Sequence, residues 1–315
     1  MIVSSRVPAG FQNALVVDYL AARFTYLSRG EWAQRVQDGR IFCNDQLCSM
    51  ATRVRQGDRV AYHMPEPDTP PSVPQHAIVY EDDWLLGINK PPGLLVHAKG
   101  RFVTENLIYH LRHAPQNPQP EAHLINRLDR DTSGVVLVGK NKEVAMAVQA
   151  QFRDAAVNKT YLAVVHGVPI PPADVIDLPI GPVSSLPGVY RHGSEGAENP
   201  KTAVTKYVVI RPLATTPPTS LVKLQPKTGR THQLRVHMAA IGHPIVGDRL
   251  YTLTDEQFLS QFNDPKNAPP PEPLPRQALH CQATTFFHPF TRKMVTVTAP
   301  LPDDMQAWID LMIED

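Results

Sequence analysis

A proline-rich stretch divides this chain before any secondary structure is assigned. Five prolines stand within the eleven residues MPEPDTPPSVP, at positions 64–74. Proline lacks a backbone N–H and fixes φ near about −65°, so such a run forms neither a helix interior nor a central strand. Its composition is typical of a stiff, extended linker. We therefore predict a small N-terminal domain over residues 1–64, a linker over 65–75 and a larger domain over 76–315.

The charge is distributed unevenly between the two predicted domains. The chain as a whole carries a net charge of only +1, and its 42% hydrophobic and 19% charged residues are typical of soluble globular protein. The segment before the linker, however, contains eight arginines, no lysine and five acidic residues, a net charge of +3. A positive charge confined to a small domain is typical of a separate anion-binding module.

Several classes of protein are disfavoured by the sequence. The cysteines Cys43, Cys48 and Cys281 are too few for a disulfide framework and lack zinc-finger spacing, so a reducing cytosol is expected. No run approaches the roughly 18 apolar residues of a membrane span, and MIVSSRVPAGFQ lacks the apolar core of a signal peptide. We expect a cytoplasmic protein with no membrane partner, and a monomer.

The N-terminal segment has the pattern of two helices followed by a strand. In LVVDYLAARF, the apolar residues Leu15, Tyr19 and Phe24 have helical spacing, and Ser28 is a candidate N-cap of a second helix that ends at Gly39. A short strand, RIFCND, follows. Over residues 13–62 this order resembles the alpha-L RNA-binding module first seen in ribosomal proteins.

That resemblance implies that arginines at the start of and within the second helix face RNA phosphates. They are Arg29 and Arg35, with Arg40 as a further candidate. The alternative is that these arginines only solvate an amphipathic helix.

The larger domain alternates between strand and helix patterns. AIVYEDDWLLGINK predicts two strands joined by an acidic turn, and GVVLVGK and TYLAVVHG predict two more. Between the latter, KEVAMAVQAQF places Val144, Val148 and Phe152 on one helical face. Adjacent strand pairs favour an α+β fold with a mixed, mostly antiparallel sheet and flanking helices rather than a doubly wound fold.

Polar side chains of unusual density accompany turn residues at four places, each next to a predicted strand. We expect them to converge on one cleft, where active sites commonly lie. The four stretches are residues 89–93, 126–134, 159–161 and 227–237.

Asp129 is the most reactive candidate among them. It stands in Arg127-Leu128-Asp129-Arg130, and two neighbouring arginines favour a charged carboxylate. A carboxylate that stays charged after water is excluded can act as a nucleophile toward an electrophilic carbon. The alternative from the motif alone is a structural aspartate that caps the turn before Thr132.

The wider sequence resembles one enzyme family. HLINRLDRDTSGVVLVGKN is similar to the signature of the RluA-type pseudouridine synthases, which convert uridine in RNA to its carbon-linked isomer. EDDWLLGINKPPGLLVH, KTYLAVVHG, TGRTHQLRVHMAAIGHPIVGDRLY and RQALHCQATTFFHP resemble further family segments in the expected order, over about residues 77–300. Asn126 stands where many members carry His.

The resemblance implies a role for each matching residue. Asp129 would attack the target nucleotide at the ribose anomeric carbon, and Arg235 would pair with it. Tyr161 would stack on the uracil and remove the C5 proton, and Arg127 would fill the gap left by the flipped base. Further substrate or RNA contacts are assigned to Arg230, His232 and Lys90, although Lys90 could instead only solvate its turn.

The implied reaction rearranges bonds within one nucleotide, so we expect no cofactor and no metal. His232, His237 and His243 have spacings that match no strong ligand motif, and Arg130 between Asp129 and Asp131 argues against a magnesium site. The expected partner is ribosomal or transfer RNA, with ribosomal RNA favoured. The alternatives are a non-catalytic RNA-binding or ribosome-assembly protein on the same fold, and a hydrolase acting through Asp129 and Asp131.

Overall fold

The computed structural model describes residues 2–24, 27–63, 75–98, 103–183, 185–186, 189–263 and 274–311. The predicted linker lies outside the described residues, apart from Gln75. The described residues form two compact units: one contains those up to 63 with 98 and 103–105, and the other contains the rest. Within the described part of the chain, no helix has the length and hydrophobicity needed to cross a membrane.

The smaller unit is a four-stranded antiparallel sheet with two helices. The sheet order is β1-β4-β2-β3, with β4 paired to both β1 and β2. Its elements are β1 (Ile2–Arg6), a 3-10 turn (Ala9–Phe11), α1 (Val16–Arg23), α2 (Arg29–Gln37), β2 (Ile41–Cys43), β3 (Gln46–Leu47) and β4 (Arg59–His63).

A separate aromatic core holds this unit together. Trp32 of α2 and Tyr62 of β4 are buried and meet edge to face at 5.1 Å, a favoured geometry for aromatic rings. The predicted N-cap is confirmed, because the Ser28 hydroxyl accepts from the Glu31 amide while the Glu31 carboxylate accepts from the Ser28 amide. The alpha-L assignment itself stays a prediction.

The larger unit is built on one mixed sheet of ten strands. Its order is β10-β13-β14-β9-β15-β8-β6-β5, with β16 added to β15 and β7 to β8, and β11 pairs with β12 in a separate hairpin. The strands are β5 (Ala77–Glu81), β6 (Leu85–Lys90), β7 (His123–Leu124), β8 (Ser133–Gly139), β9 (Asn158–His166), β10 (Ala173–Asp177), β11 (Gly181–Pro182), β12 (His192–Gly193), β13 (Val204–Leu213), β14 (Thr219–Pro226), β15 (Leu279–Phe287) and β16 (Met294–Thr298).

Helices of varied length flank this sheet. They are α3 (Leu107–Arg112), α4 (Lys142–Arg153), α5 (Gln233–Ala240), α6 (Arg249–Thr252), α7 (Asp255–Asn263) and α8 (Asp303–Leu311). The predicted helical face is confirmed, since Val144 and Val148 of α4 are buried and Phe152 is partly buried against the core. Strand β8 is buried along its whole length, in agreement with its continuous apolar sequence.

Pairing across the sheet brings distant segments to one end. Leu224 of β14 lies opposite Tyr161 of β9, Tyr161 lies opposite Cys281 of β15, and Cys281 lies beside Gly134 of β8. A side chain at Gly134 would overlap the backbone of Cys281, so only glycine permits this close approach. The loop before β8 and the loop after β14 therefore meet beside Tyr161.

Candidate active site

An open cleft of about 490 Å³ lies at this end of the sheet. Three of the four polar stretches predicted from the sequence line it: the loop before β8, the start of β9 and the segment from the end of β14 into α5. The fourth stretch, residues 89–93, does not. The cleft contains both polar and apolar side chains, as expected of a binding site for a polar ligand with a flat apolar face.

Asp129 and Arg235 form an ion pair inside the cleft. The Arg235 Nη1 donates to Asp129 Oδ2 at 3.0 Å, and Nε and Nη2 donate to the two carboxylate oxygens of Asp248 at 2.6 and 2.8 Å. Asp248 is almost wholly buried. Burial alone would lower the pKa of Arg235, but the hydrogen bonds and charge of Asp248, followed by the charge of Asp129, raise it overall. The guanidinium is therefore a permanent cation facing Asp129.

His232 and Tyr251 complete the surroundings of this pair. His232 has a left-handed backbone, with φ 56°, directly before α5, and its Nε2 lies 3.9 Å from Asp129 Oδ2. Its Nδ1 is 2.9 Å from the Tyr251 hydroxyl, and the Arg235 guanidinium lies over the Tyr251 ring at 5.1 Å. Burial raises the pKa of Tyr251, so its phenol stays protonated near neutral pH.

Tyr161 lines the same cleft from β9. Its side chain is 9% exposed, and burial, followed by the neighbouring Cys281 and Asp129, raises its pKa well above the ordinary value. A phenol is a weak base near neutral pH, and no lowering of its pKa assists Tyr161 here. Tyr161 can therefore act as a base only toward an unusually acidic proton.

Lys90 is placed differently from the prediction that it binds RNA. The side chain is completely buried, and Nζ donates to the carbonyl oxygens of Pro91, Leu94 and Arg130 at 2.7, 3.0 and 2.8 Å. These contacts contradict both a phosphate-binding role and a solvated one. Lys90 instead ties the Lys-Pro-Pro-Gly turn to the loop that carries Asp129, and burial lowers its pKa to about 7.

Asn126 has a structural explanation. Its Oδ1 accepts from the Leu137 amide at 2.7 Å, and its Nδ2 donates to the Val135 carbonyl at 3.4 Å. The side-chain amide thus makes hydrogen bonds to the backbone of β8 that a neighbouring strand would otherwise make. Asn126 fixes the start of the Asp129 loop, and it also lines the cleft.

The rim of the cleft is cationic. Arg127 and Arg230 are exposed, and Arg230 is held by a 2.9 Å hydrogen bond from Nε to the Thr202 carbonyl. Both line the cleft, but neither contacts Asp129 among the described contacts. The other cations of the lining are Arg153, Lys159 and Lys227. Such a rim suits an anionic polymer laid across the opening.

Arg29 and Arg35 lie in the smaller unit. Arg29 is exposed at the start of α2, and its Nε pairs with Asp18 at 2.7 Å. The Arg35 guanidinium lies over the Trp32 ring at 5.9 Å. Their predicted contact with RNA stays a prediction.

Asp248 and Tyr251 are site residues that sequence reasoning did not assign. Both lie at the end of the segment TGRTHQLRVHMAAIGHPIVGDRLY, but only the fold brings Asp248 against Arg235. The sequence signal was Gly247-Asp248 itself, because an acid after a glycine at the end of a signature is a candidate partner for a buried arginine within it.

Comparisons with known proteins identify the family to which the chain belongs. The family model described as RNA pseudouridylate synthase matches residues 85–240. A ribosomal large subunit pseudouridine synthase D of Nitrosomonas europaea is 38% identical over 73% of this chain, and the alignment spans 63% of that relative. The dual-specificity RNA pseudouridine synthase RluA of Escherichia coli is 36% identical, with 73% of this chain and 95% of the relative covered.

A solved structure supports the same assignment. Human RNA pseudouridylate synthase domain containing 1 superposes with a TM-score of 0.56 at 28% identity, covering 78% of this chain and 98% of that one. The predicted α+β pseudouridine synthase fold is confirmed. The family model matches, the alignment covers nearly all of the E. coli relative, and the fold is shared. The chain therefore belongs to the RluA-type family of RNA pseudouridine synthases, which are isomerases acting on RNA.

Proposed function

We propose that this protein isomerises specific uridines in structured RNA, ribosomal RNA in preference to transfer RNA, with Asp129 as the nucleophile. One observation carries the proposal: the Asp129 carboxylate, 27% exposed, faces a cleft large enough for a nucleotide while a buried guanidinium holds it at 3.0 Å. A buried cation stabilises the carboxylate as a charged group after substrate excludes water.

In the proposed reaction the carboxylate attacks the ribose anomeric carbon and the bond from that carbon to uracil N1 breaks. The released base rotates, and its C5 forms the new bond to the same carbon as the carboxylate leaves. C5 then loses its proton and N1 gains one, so the mass of the RNA does not change. Because loss of the C5 proton restores the conjugated ring, that proton is acidic enough for the weakly basic phenol of Tyr161.

The target base must leave its stack to reach Asp129. Enzymes that act on a base commonly extrude the nucleotide into a pocket, and a side chain can occupy the gap. Arg127, exposed on the rim two residues before Asp129, has the position and charge for that role. The remaining rim cations would bind the backbone phosphates on either side of the flipped nucleotide.

Two considerations favour ribosomal RNA as the substrate. The pseudouridine synthase D relative is named for the large ribosomal subunit. The predicted alpha-L module, with eight arginines, would add an attachment point for a large structured RNA. The E. coli relative is named dual-specificity, so transfer RNA is the main competing substrate to test.

Mapping pseudouridines tests this proposal. Ribosomal and transfer RNA would be compared from cells that contain the gene, lack it, or carry it restored. We expect one or a few uridines in ribosomal RNA to lose the modification only in the deletion, and the purified protein to restore it without added cofactor. Identical maps in all three strains, with no isomerisation in vitro, would contradict it.

A further inference from the structure

We infer that Arg276 and Asp304 are positioning residues for the Asp129–Arg235 pair, which makes helix α8 part of the catalytic apparatus. The inference rests on the proposed function and adds residues that touch neither the RNA nor the reacting atoms. Asp304 stands in the first turn of α8. Arg276 lies in the short segment before β15, and both are outside the residues that line the cleft.

The first contacts reach the loop that carries the nucleophile. Arg276 Nη1 donates to the carbonyl of Asp131 at 3.2 Å, and the adjacent Gln277 donates from Nε2 to the Thr132 hydroxyl at 3.2 Å. On the same loop, Lys90 holds the carbonyl of Arg130. Two buried basic side chains, Lys90 and Arg276, thus hold the backbone carbonyls of the two residues that directly follow Asp129.

The second contacts reach the loop that orients Arg235. A side chain on Gly247, whose φ is 79°, would overlap the Arg276 carbonyl oxygen, so the two backbones are in direct contact. The Ala278 amide donates to the Val246 carbonyl at 2.8 Å. Asp248, which takes two hydrogen bonds from Arg235, follows Gly247 immediately. Segment 276–278 therefore contacts the loop that carries Asp129 and the loop that carries Asp248, the carboxylate that orients Arg235.

Asp304 fixes the arginine at the centre of this arrangement. Nε and Nη2 of Arg276 donate to the two oxygens of Asp304, both at 2.7 Å, while Nη1 is left to bind the Asp131 and Gln277 carbonyls. The Arg276 side chain is only 7% exposed, so its charge requires this carboxylate. Helix α8 is itself held in the core through Met305 and Ile309.

Loss of the Asp304 carboxylate should therefore shift the Asp129 loop against Arg235. A displacement of about 1 Å in a reacting group can cost about 100-fold in rate even when it arises far from the chemistry. RNA binding should change little, because neither Arg276 nor Asp304 lies on the cleft surface. The signature of a positioning role is thus a fall in kcat at nearly constant KM.

The test compares Asp304→Asn with Asp310→Asn in the full-length protein. Asp310 is on the same helix, and its carboxylate accepts only from Gln306 among the described contacts. Pseudouridine formation on target RNA would be measured for kcat and KM, with the folded fraction determined by circular dichroism at the assay temperature. We expect kcat to fall 10- to 100-fold in Asp304→Asn, with KM within twofold of wild type, and no change in Asp310→Asn.

A second variant, Arg276→Lys, keeps the positive charge but cannot bind the Asp304 carboxylate and the Asp131 carbonyl together. It carries the test if Asp304→Asn is poorly folded, and we expect the same loss of kcat. Activity within twofold of Asp310→Asn, or a loss that merely follows the folded fraction, would overturn the inference alone. No pseudouridine from the wild type would instead overturn the proposed function, and this inference with it.

Discussion

Among the described residues, the side-chain contacts of the Asp129 carboxylate are all made to one of its two oxygens. Arg235 Nη1 and, more distantly, His232 Nε2 both face Oδ2, at 3.0 and 3.9 Å. A carboxylate held this way keeps its direction, and its second oxygen has no contact among the described ones. We therefore expect Oδ1 to attack the ribose and Oδ2 to remain the oxygen bound by the guanidinium.

Replacing Tyr161 by phenylalanine tests the assigned proton transfer. The ring is kept, so stacking on uracil and RNA affinity should be preserved, while the rate of pseudouridine formation should fall about 100-fold or more. The matched control is Tyr207→Phe, since that tyrosine is also buried but binds the Pro171 carbonyl. Equal activity of the Tyr161→Phe variant and wild type would remove Tyr161 from the mechanism.

The residues of the site differ in how far the sequence could predict them. The pairing of Asp129 with Arg235 was implied by the resemblance of their two motifs to a known family, and the structure places the two side chains in contact. Lys90 was misassigned, because a lysine at the end of a strand is usually exposed. Its burial depends on the approach of the loop holding Arg130, 40 positions away, which no local pattern encodes.

At the scale of elements, the site depends on the parallel pairing of β8 with β15. His280 of β15 lies opposite Ser133 of β8, and its ring is buried between the Ser133 hydroxyl at Nδ1, 3.0 Å, and the Ala299 carbonyl at Nε2, 3.2 Å. Burial lowers the pKa of His280 to about 4, so the ring is neutral in the folded protein at neutral pH. This neutral ring joins β15, which pairs with the strand that carries Tyr161, to β8, which follows the Asp129 loop.

The pH dependence of stability follows from that shift. Between about pH 6.5 and 4 the unfolded state binds a proton at His280 that the folded state does not, so stability falls as pH falls through this range, by up to about 3 kcal/mol. His280→Gln keeps a donor and an acceptor but does not titrate. The free energies of unfolding of the wild type and the His280→Gln variant, measured by urea titration, should therefore converge as the pH falls from 7 to 4.5. A constant difference would contradict the assignment.

Strands and helices with a strong local pattern were predicted well, but their pairing was not. Strand β8 and helix α4 follow directly from an apolar run and from Val144 and Val148 on one face. The parallel alignment of β8 with β15 joins Ser133 to a residue 147 positions later, so it is a consequence of packing alone. The short strands β7, β11 and β12 have two residues each, too few for a readable period.

At the scale of the whole molecule, the two units are expected to divide binding from chemistry. Arg29→Gln with Arg35→Gln, in the full-length protein, should weaken binding to a large structured RNA and reduce the slope of log affinity against log salt by about 2. The value of kcat on a saturating short stem-loop should not change. Binding would be measured by filter retention at several salt concentrations.

The control for that experiment removes the same charge from the same unit. Arg6 and Arg23 lie on β1 and α1, outside the predicted RNA-facing helix, so Arg6→Gln with Arg23→Gln should change the salt slope less. Equal effects of the two double variants would indicate a diffuse attraction of the basic unit for RNA. That result would contradict a defined contact through α2.

The most direct test of the account is the activity of Asp129→Asn beside Asp131→Asn. The two carboxylates lie on the same loop, but only Asp129 contacts Arg235, while Asp131 lies 3.6 Å from Arg130 with 43% of its side chain exposed. Pseudouridine would be quantified by chromatography after complete digestion of the RNA. Asp129→Asn should lose at least about 1000-fold in rate while still binding RNA, and Asp131→Asn should stay within about threefold of wild type. Near wild-type isomerisation by Asp129→Asn would contradict the account.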